Sequence, residues 1–308
     1  MKKNIPFLRP NDCIGITAPA RKISIEEIQP ALHFFQNEGF RVVLGEHLFD
    51  DNNQFAGTDQ ARAQDMQSFI NDPDIRAIVC ARGGYGSVRI IDKIDFSPLF
   101  DHPKWICGYS DVTVFHSHLN CLQIPTLHCT MPINIHEHDI ENLNNKTCLQ
   151  FLRGELLAYH IKPHPFNRSG NAQATIVGGN LSILYSLLGS SSDIDTTGKI
   201  LFIEDLDEYL YHIDRMMMAL KRAGKLDHLA GLLVGSMSDM HDNTIPFGET
   251  AEEIIARCCQ EYDYPICFHF PAGHTDENVA IPFGIECSLT VPSSGSPCLL
   301  VPYPHEKN

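Results

Sequence analysis

Short apolar runs at residues 13–18, 40–44, 75–81, 105–107 and 125–129 alternate with segments whose apolar residues recur at helical spacing. The runs are apolar throughout rather than on alternate positions, so each would be a strand buried on both faces. That pattern predicts a parallel sheet covered by helices on both sides, an α/β fold. Helices are predicted from a Ser24 cap to about Glu38, from Thr58 or Asp59 to about Asn71, from the glycine turn 83–86 to about Ile94, and after Ser110.

Residues 104–120, KWICGYSDVTVFHSHLN, concentrate this logic. The apolar run Trp105, Ile106, Cys107 stops at Gly108-Tyr109, and Val112, Phe115 and Leu119 then follow at i, i+3 and i+7. Ser110 therefore sits where a strand turns into a helix, at the carboxyl edge of a sheet and beside the N–H groups of a helix start. This is the setting of a nucleophile elbow, although Val112 replaces the last glycine of G-x-S-x-G. The alternative is an ordinary helix N-cap serine.

Residues 155–173 are polar, with prolines and a glycine, and break the rhythm. A boundary near residue 165 divides the chain into units 1–165 and 166–308. In the second unit, strands are predicted at 174–177, 199–203, 229–236 and 266–270, with a closing hairpin of 285–291 and 298–301. Ile213, Met216, Met217 and Leu220 mark a helix ending at Lys221-Arg222 and Gly224, and the methionines read as core packing.

The net charge of −15 argues against nucleic acid or an anionic membrane as partner. No run approaches the roughly 20 apolar residues of a membrane helix. The opening MKK is not followed by an apolar h-region, so no secretory signal is expected. Eleven cysteines without a C-x-x-C read as reduced thiols of a cytoplasmic protein. His116 and His118 are two apart on a helix and point away from each other, His136-Glu137-His138 lies in a loop, and no H-E-x-x-H occurs. No metal is expected.

Ser110, Glu204 and His274 share one address, just past the carboxyl end of an apolar strand, where ligands and catalytic groups gather in open α/β sheets. A serine nucleophile needs a base, and the base needs an orienting acceptor. Taken singly, Glu204 reads equally as half of a surface ion pair and His274 as a loop histidine. The turn Arg82-Gly83-Gly84-Tyr85-Gly86-Ser87 lacks the lysine of a P-loop and the spacing of the dinucleotide fingerprint. An oxyanion hole fits it better, formed by the N–H of Gly84 and the N–H of Asp111.

The motifs AGTD at 56–59 with Arg62, CARGGYGS at 80–87, GYSD at 108–111, VGGNLS at 177–182, GKILFIED at 198–205, YHIDRMMMALKRAGKLD at 211–227 and PAGHTDENVAIPFG at 271–284 follow one another in order. In these the chain resembles the L,D-carboxypeptidases, the serine-peptidase group that also holds the microcin C self-immunity hydrolases. The resemblance implies a Ser-Glu-His triad of Ser110, Glu204 and His274. It also implies a Rossmann-like, class I glutamine-amidotransferase-like first domain, a smaller α/β second domain, a site between them and a homodimer without cofactor. The implied substrate is a murein tetrapeptide that loses its terminal D-alanine during cell-wall recycling. Arg82 is a candidate for the substrate carboxylate, or else a salt-bridge partner that positions the glycine turn. Gly178-Gly179-Asn180 is a second-choice site element, or else packing where a helix starts, the reading preferred. A peptidyl-nucleotide amide hydrolase, as in microcin C immunity, and a non-catalytic peptide-binding protein on the same fold are the alternatives. The first is disfavoured because Trp105 is the only tryptophan.

Overall fold

A computed structural model of the protein describes residues 5–301, so the opening MKK and the last residues of the predicted second unit lie outside the described residues. The chain forms two compact units: residues up to 155 together with 279–282, and residues 156–278 together with those from 283 on.

The first unit carries β1 (Cys13–Thr17), β2 (Arg41–Leu44), β3 (Ile75–Cys80), β4 (Trp105–Gly108) and β5 (Thr126–His128), paired in parallel in the order β2-β1-β3-β4-β5. The order in which strands are added reverses between β1 and β3, which opens a switch point at their carboxyl ends. Helices α1 (Ile25–Asn37), α2 (Asp59–Asn71), α3 (Thr113–Cys121) and α4 (Leu143–Leu152) belong to this unit. Local chemistry fixes where they start. The Ser24 hydroxyl accepts from the Glu27 N–H at 3.2 Å, and the Glu27 carboxylate accepts from the Ser24 N–H at 2.8 Å. Thr58 Oγ1 accepts from the Ala61 N–H at 3.1 Å.

Trp105 packs edge-on against Phe151 at 5.0 Å and donates its indole N–H to the Pro6 carbonyl at 3.2 Å. Lys104, also buried, donates to the carbonyls of Phe69 (2.8 Å) and Asp72, satisfying the end of α2. Burial pushes its amine down to about 8. The helix predicted after the glycine turn does not form. Ser87–Arg89 and Ile91–Lys93 are single 3-10 turns, and the β-branched Ile90 and Ile91 where they join dip into the core.

The second unit contains β6 (Leu157–His160), β7 (Gly170–Asn180), β8 (Ile200–Leu206), β9 (Gly231–Ser238) and β10 (Ile266–Cys267). Beyond them the chain returns to the first unit's sheet as β11 (Ile281–Phe283), beside β5 at its edge. β12 (Glu286–Val291) and β13 (Cys298–Val301) then form the predicted antiparallel hairpin. The seven-stranded order is β10-β9-β8-β7-β12-β13-β6, parallel from β7 to β10 and antiparallel from β7 through β6. The polar stretch 155–173 thus holds β6 and the start of β7, because β13 and β12 supply their pairing partners. The unit consequently begins at 156 rather than near 165. Helices α5 (Leu181–Ser186), α6 (Leu210–Arg222) and α7 (Ala251–Cys258) accompany the parallel strands, and Met216 and Met217 are buried in a core shared with Leu201, Ile203 and Ile254.

Candidate active site

Ser110 has φ 63°, the left-handed region that non-glycine residues avoid at a cost on the order of 1–3 kcal/mol. It opens a 3-10 turn, Ser110–Val112, that runs straight into α3. No side-chain cap bonds the start of α3, so the N-cap reading of Ser110 falls away. The strand end beneath is pinned by His116. Its Nε2 donates to the Gly108 carbonyl at 2.9 Å, so its Nδ1 accepts from Thr126 Oγ1 at 2.9 Å. Burial pushes this imidazole down to about 4, which leaves it a neutral structural group.

The glycine turn lies against the elbow. A Cβ on Gly83 would stand 2.9 Å from Ser110 Cβ, 3.1 Å from its Oγ and 3.4 Å from the Asp111 N. The approach needs a residue without a side chain. Gly84 contributes the next amide along the chain and packs beside Arg21, whose Cδ would be 2.3 Å from a Cβ there. Asp111 has a role that sequence reasoning missed. Its buried carboxylate accepts from the Ser87 N–H at 2.8 Å, and burial raises its pKa. Arg82 lies 3.5 Å from the Glu27 carboxylate and donates to the Lys22 carbonyl at 3.4 Å, which ties the turn to the start of α1.

In the second unit, Glu204 and His274 meet. Glu204 is fully buried near the end of β8. The register there slips, with Ile203 opposite Val234 but Asp205 opposite Met237, so Gly235 and Ser236 face Glu204 across a bulge. Glu204 Oε2 accepts from His274 Nδ1 at 2.7 Å. The carboxylate fixes the proton on Nδ1 and leaves Nε2 as the basic nitrogen. Burial pulls the imidazole down, but the hydrogen bond and charge of Glu204, with Asp205 behind it, outweigh this and hold His274 above the ordinary histidine value.

The loop carrying His274 is tied to β9. The Ser236 N–H donates to the Ala272 carbonyl at 3.0 Å, and Ser238 Oγ donates to the His274 carbonyl at 2.7 Å. Gly273, at φ 118°, permits the approach: a Cβ would lie 2.9 Å from Glu204 Oε2 and 2.5 Å from Ser236 Oγ. Asp205 is buried on the other side of β8. It accepts from Asn180 Nδ2 and the Ser182 N–H, both at 2.9 Å, and burial followed by the neighbouring Glu204 pushes it up to about 7. Asn180 also caps α5 through the Ile183 N–H at 3.2 Å, and a Cβ on Gly178 would meet the Phe202 carbonyl oxygen. The Gly178-Gly179-Asn180 turn is therefore built for packing.

Among the described residues, no group of three or more His, Cys, Asp or Glu is placed to hold a metal. His136 and His138 stack on each other at 5.5 Å, and His33 lies 3.7 Å from Glu137. No helix among the described residues is long and apolar enough to cross a membrane.

A serine on a left-handed strand-to-helix turn and a buried carboxylate–imidazole pair belong to the chemistry of serine hydrolases. Residues 14–129 match the N-terminal domain of the LD-carboxypeptidases and residues 173–289 their C-terminal domain, and the chain belongs to that family. It is 35% identical over 291 residues to the probable murein peptide carboxypeptidase of Bacillus subtilis, covering 92% of this chain and 90% of the relative. It is 26% identical over 284 residues to the murein tetrapeptide carboxypeptidase of Pseudomonas aeruginosa, covering 88% of this chain and 91% of the relative. The crystal structure of muramoyltetrapeptide carboxypeptidase from Oxalobacter formigenes has the same fold, with a TM-score of 0.87 at 24% identity, covering 95% of this chain and all of that one.

Proposed function

We propose that the protein is a serine L,D-carboxypeptidase that removes the terminal D-alanine from murein tetrapeptides in cell-wall recycling, with Ser110, Glu204 and His274 as its triad. The observation that carries this reading is the 2.7 Å bond between buried Glu204 and His274, an oriented base for which the left-handed Ser110 is the matching nucleophile. Ser110 Oγ attacks the carbonyl carbon before D-alanine while His274 Nε2 takes its proton. The N–H groups of Gly84 and Asp111 hold the developing oxyanion. As the intermediate collapses, His274 returns the proton to the leaving amine and D-alanine departs. Water, deprotonated by His274, then releases the tripeptide from Ser110. The Glu204 side chain keeps the imidazole oriented and stabilises the imidazolium. Arg82 is assigned to the free carboxylate of the substrate.

The strand order β2-β1-β3-β4-β5 with an elbow after β4 supports reading the first unit as a Rossmann-like, class I glutamine-amidotransferase-like sheet in the broad sense. None of the eleven cysteines is in a disulfide among the described residues, which supports a reducing, cytoplasmic setting. Homodimerisation is part of the proposal, and sedimentation velocity checks it. The deciding experiment incubates the purified protein with murein tetrapeptide. D-alanine is released by the parent and not by Ser110→Ala, and full activity in that variant would overturn the mechanism.

A further inference from the structure

The AGTD motif with Arg62 has no part in the chemistry above, yet Arg62 is 1% exposed, and so is Asp111. Burying a guanidinium and a carboxylate costs several kcal/mol each in lost hydration, a cost that apolar side chains of similar volume avoid. What these two groups hold accounts for their presence. Arg62 lies on α2, where its Nη2 pairs with Asp59, which in turn accepts from Arg89 Nε at 2.9 Å. Its Nη1 donates to two carbonyls, that of Pro19 beyond β1 and that of Gly86 beyond β3 (3.1 Å). A Cβ on Gly86 would lie 2.6 Å from that Nη1, so the guanidinium fills the space a side chain would need. One residue on, the Ser87 N–H donates to the carboxylate of Asp111, the neighbour of Ser110. At the other end of the same turn, Gly83 touches Ser110.

We infer that Arg62 and Asp111 are positioning residues that clamp the 83–87 turn against Ser110 and hold its N–H groups at the oxyanion. A turn containing Gly83, Gly84 and Gly86 samples many backbone states unless its ends are fixed from outside. Oxyanion donors act only when held within a few tenths of an ångström of the developing charge, so slack in the turn costs the transition state rather than substrate binding. The clamp rests on the reading of Ser110 as nucleophile.

Two measurements test it on the full-length protein: steady-state release of D-alanine, and the rate at which a fluorophosphonate labels Ser110. Asp111→Ala and Arg62→Met should each lower kcat about 10²-fold, the scale of a misplaced reacting group, with KM within about twofold and labelling slowed in parallel. Asp111→Asn keeps an acceptor for the Ser87 N–H and should recover most of the loss. The double variant should lose little more than the worse single one, because both act through one turn. Parent-like kcat in a folded Asp111→Ala, or losses that multiply in the double variant, would overturn the clamp. Where Ala or Met prevents folding, Arg62→Lys decides: it keeps the charge, but its one nitrogen cannot replace the two-nitrogen fork that holds both carbonyls and Asp59 together, and parent-like kcat there is equally fatal. Lys104→Met, a destabilised control outside this network, should keep its kcat; a comparable loss there would reduce the clamp to general stability. Activity surviving in Ser110→Ala would sink the nucleophile assignment instead, whatever the clamp variants do.

Discussion

Ser110 and His274 each stand on a loop beyond a buried strand, but different forces fix them. Around Ser110 the constraint is mainly backbone: a left-handed φ, a close contact with Gly83, and the His116 and Asp111 hydrogen bonds that pin the neighbouring main chain. Around His274 the constraint is mainly charge. A fully buried Glu204 holds Nδ1 and raises the imidazole pKa, with Asp205 adding to the field. Serine needs no shifted pKa of its own when a base is supplied, but it needs exposure at a fixed angle. Histidine needs the right tautomer and a proton affinity suited to its task, and both are electrostatic quantities.

Substitutions separate these two kinds of control. Ser110→Ala removes the proposed nucleophile and should cost about 10⁶-fold in kcat with an unchanged melting temperature, read by D-alanine release and calorimetry. Glu204→Gln keeps the shape but removes the charge. It should cost up to about 10⁴-fold, the scale known for loss of the orienting carboxylate in a serine triad, and it should also change the pH profile. With His274 as the proposed base, activity requires its neutral form, and because its pKa is held above the ordinary histidine value, kcat/KM in the parent should rise with pH through a point above that value and fall away below it. In Glu204→Gln the acid limb should move to lower pH, because burial then acts without the opposing charge. An unmoved limb would show that charge does not govern this half of the site.

Gly273→Ala inserts a methyl group between Glu204 and Ser236 and should lower kcat about 10²-fold by displacing His274, with the labelling of Ser110 slowed in parallel because the same base serves both reactions. Smallest for activity is Lys104→Met. It leaves two carbonyls at the end of α2 without their donor, and it should reduce stability by about 1–3 kcal/mol while kcat holds.

The parts legible in the sequence were those set by nearest neighbours. Apolar runs marked the strands, Ser24 and Thr58 marked helix starts, and Ser110, Glu204 and His274 stood out because each follows an apolar run, although β8 continues through Glu204 to Leu206 and β10 ends at Cys267, well before His274. The failures lie where distant segments decide. The 83–94 segment has helical spacing, but Ile90 and Ile91 turn into the core and the Ser87 N–H goes to Asp111, so it breaks into 3-10 turns. The 155–173 segment looks like a linker, but β12 and β13 give its backbone partners far along the chain.

By itself, then, the sequence determined which residues are candidates for chemistry and near which strands they lie, because side-chain type and hydrophobic period are local properties. Only the tertiary structure decided that Asp111 holds the glycine turn through its side chain, that Gly83 rather than Gly84 touches Ser110, that a bulge in β9 faces Glu204, and that the pKa of His274 goes up. Each of these depends on burial and on hydrogen bonds between residues remote in sequence. Burial both raises the cost of an unpaired charge and strengthens the bond that relieves it, and neither exists until the chain has folded.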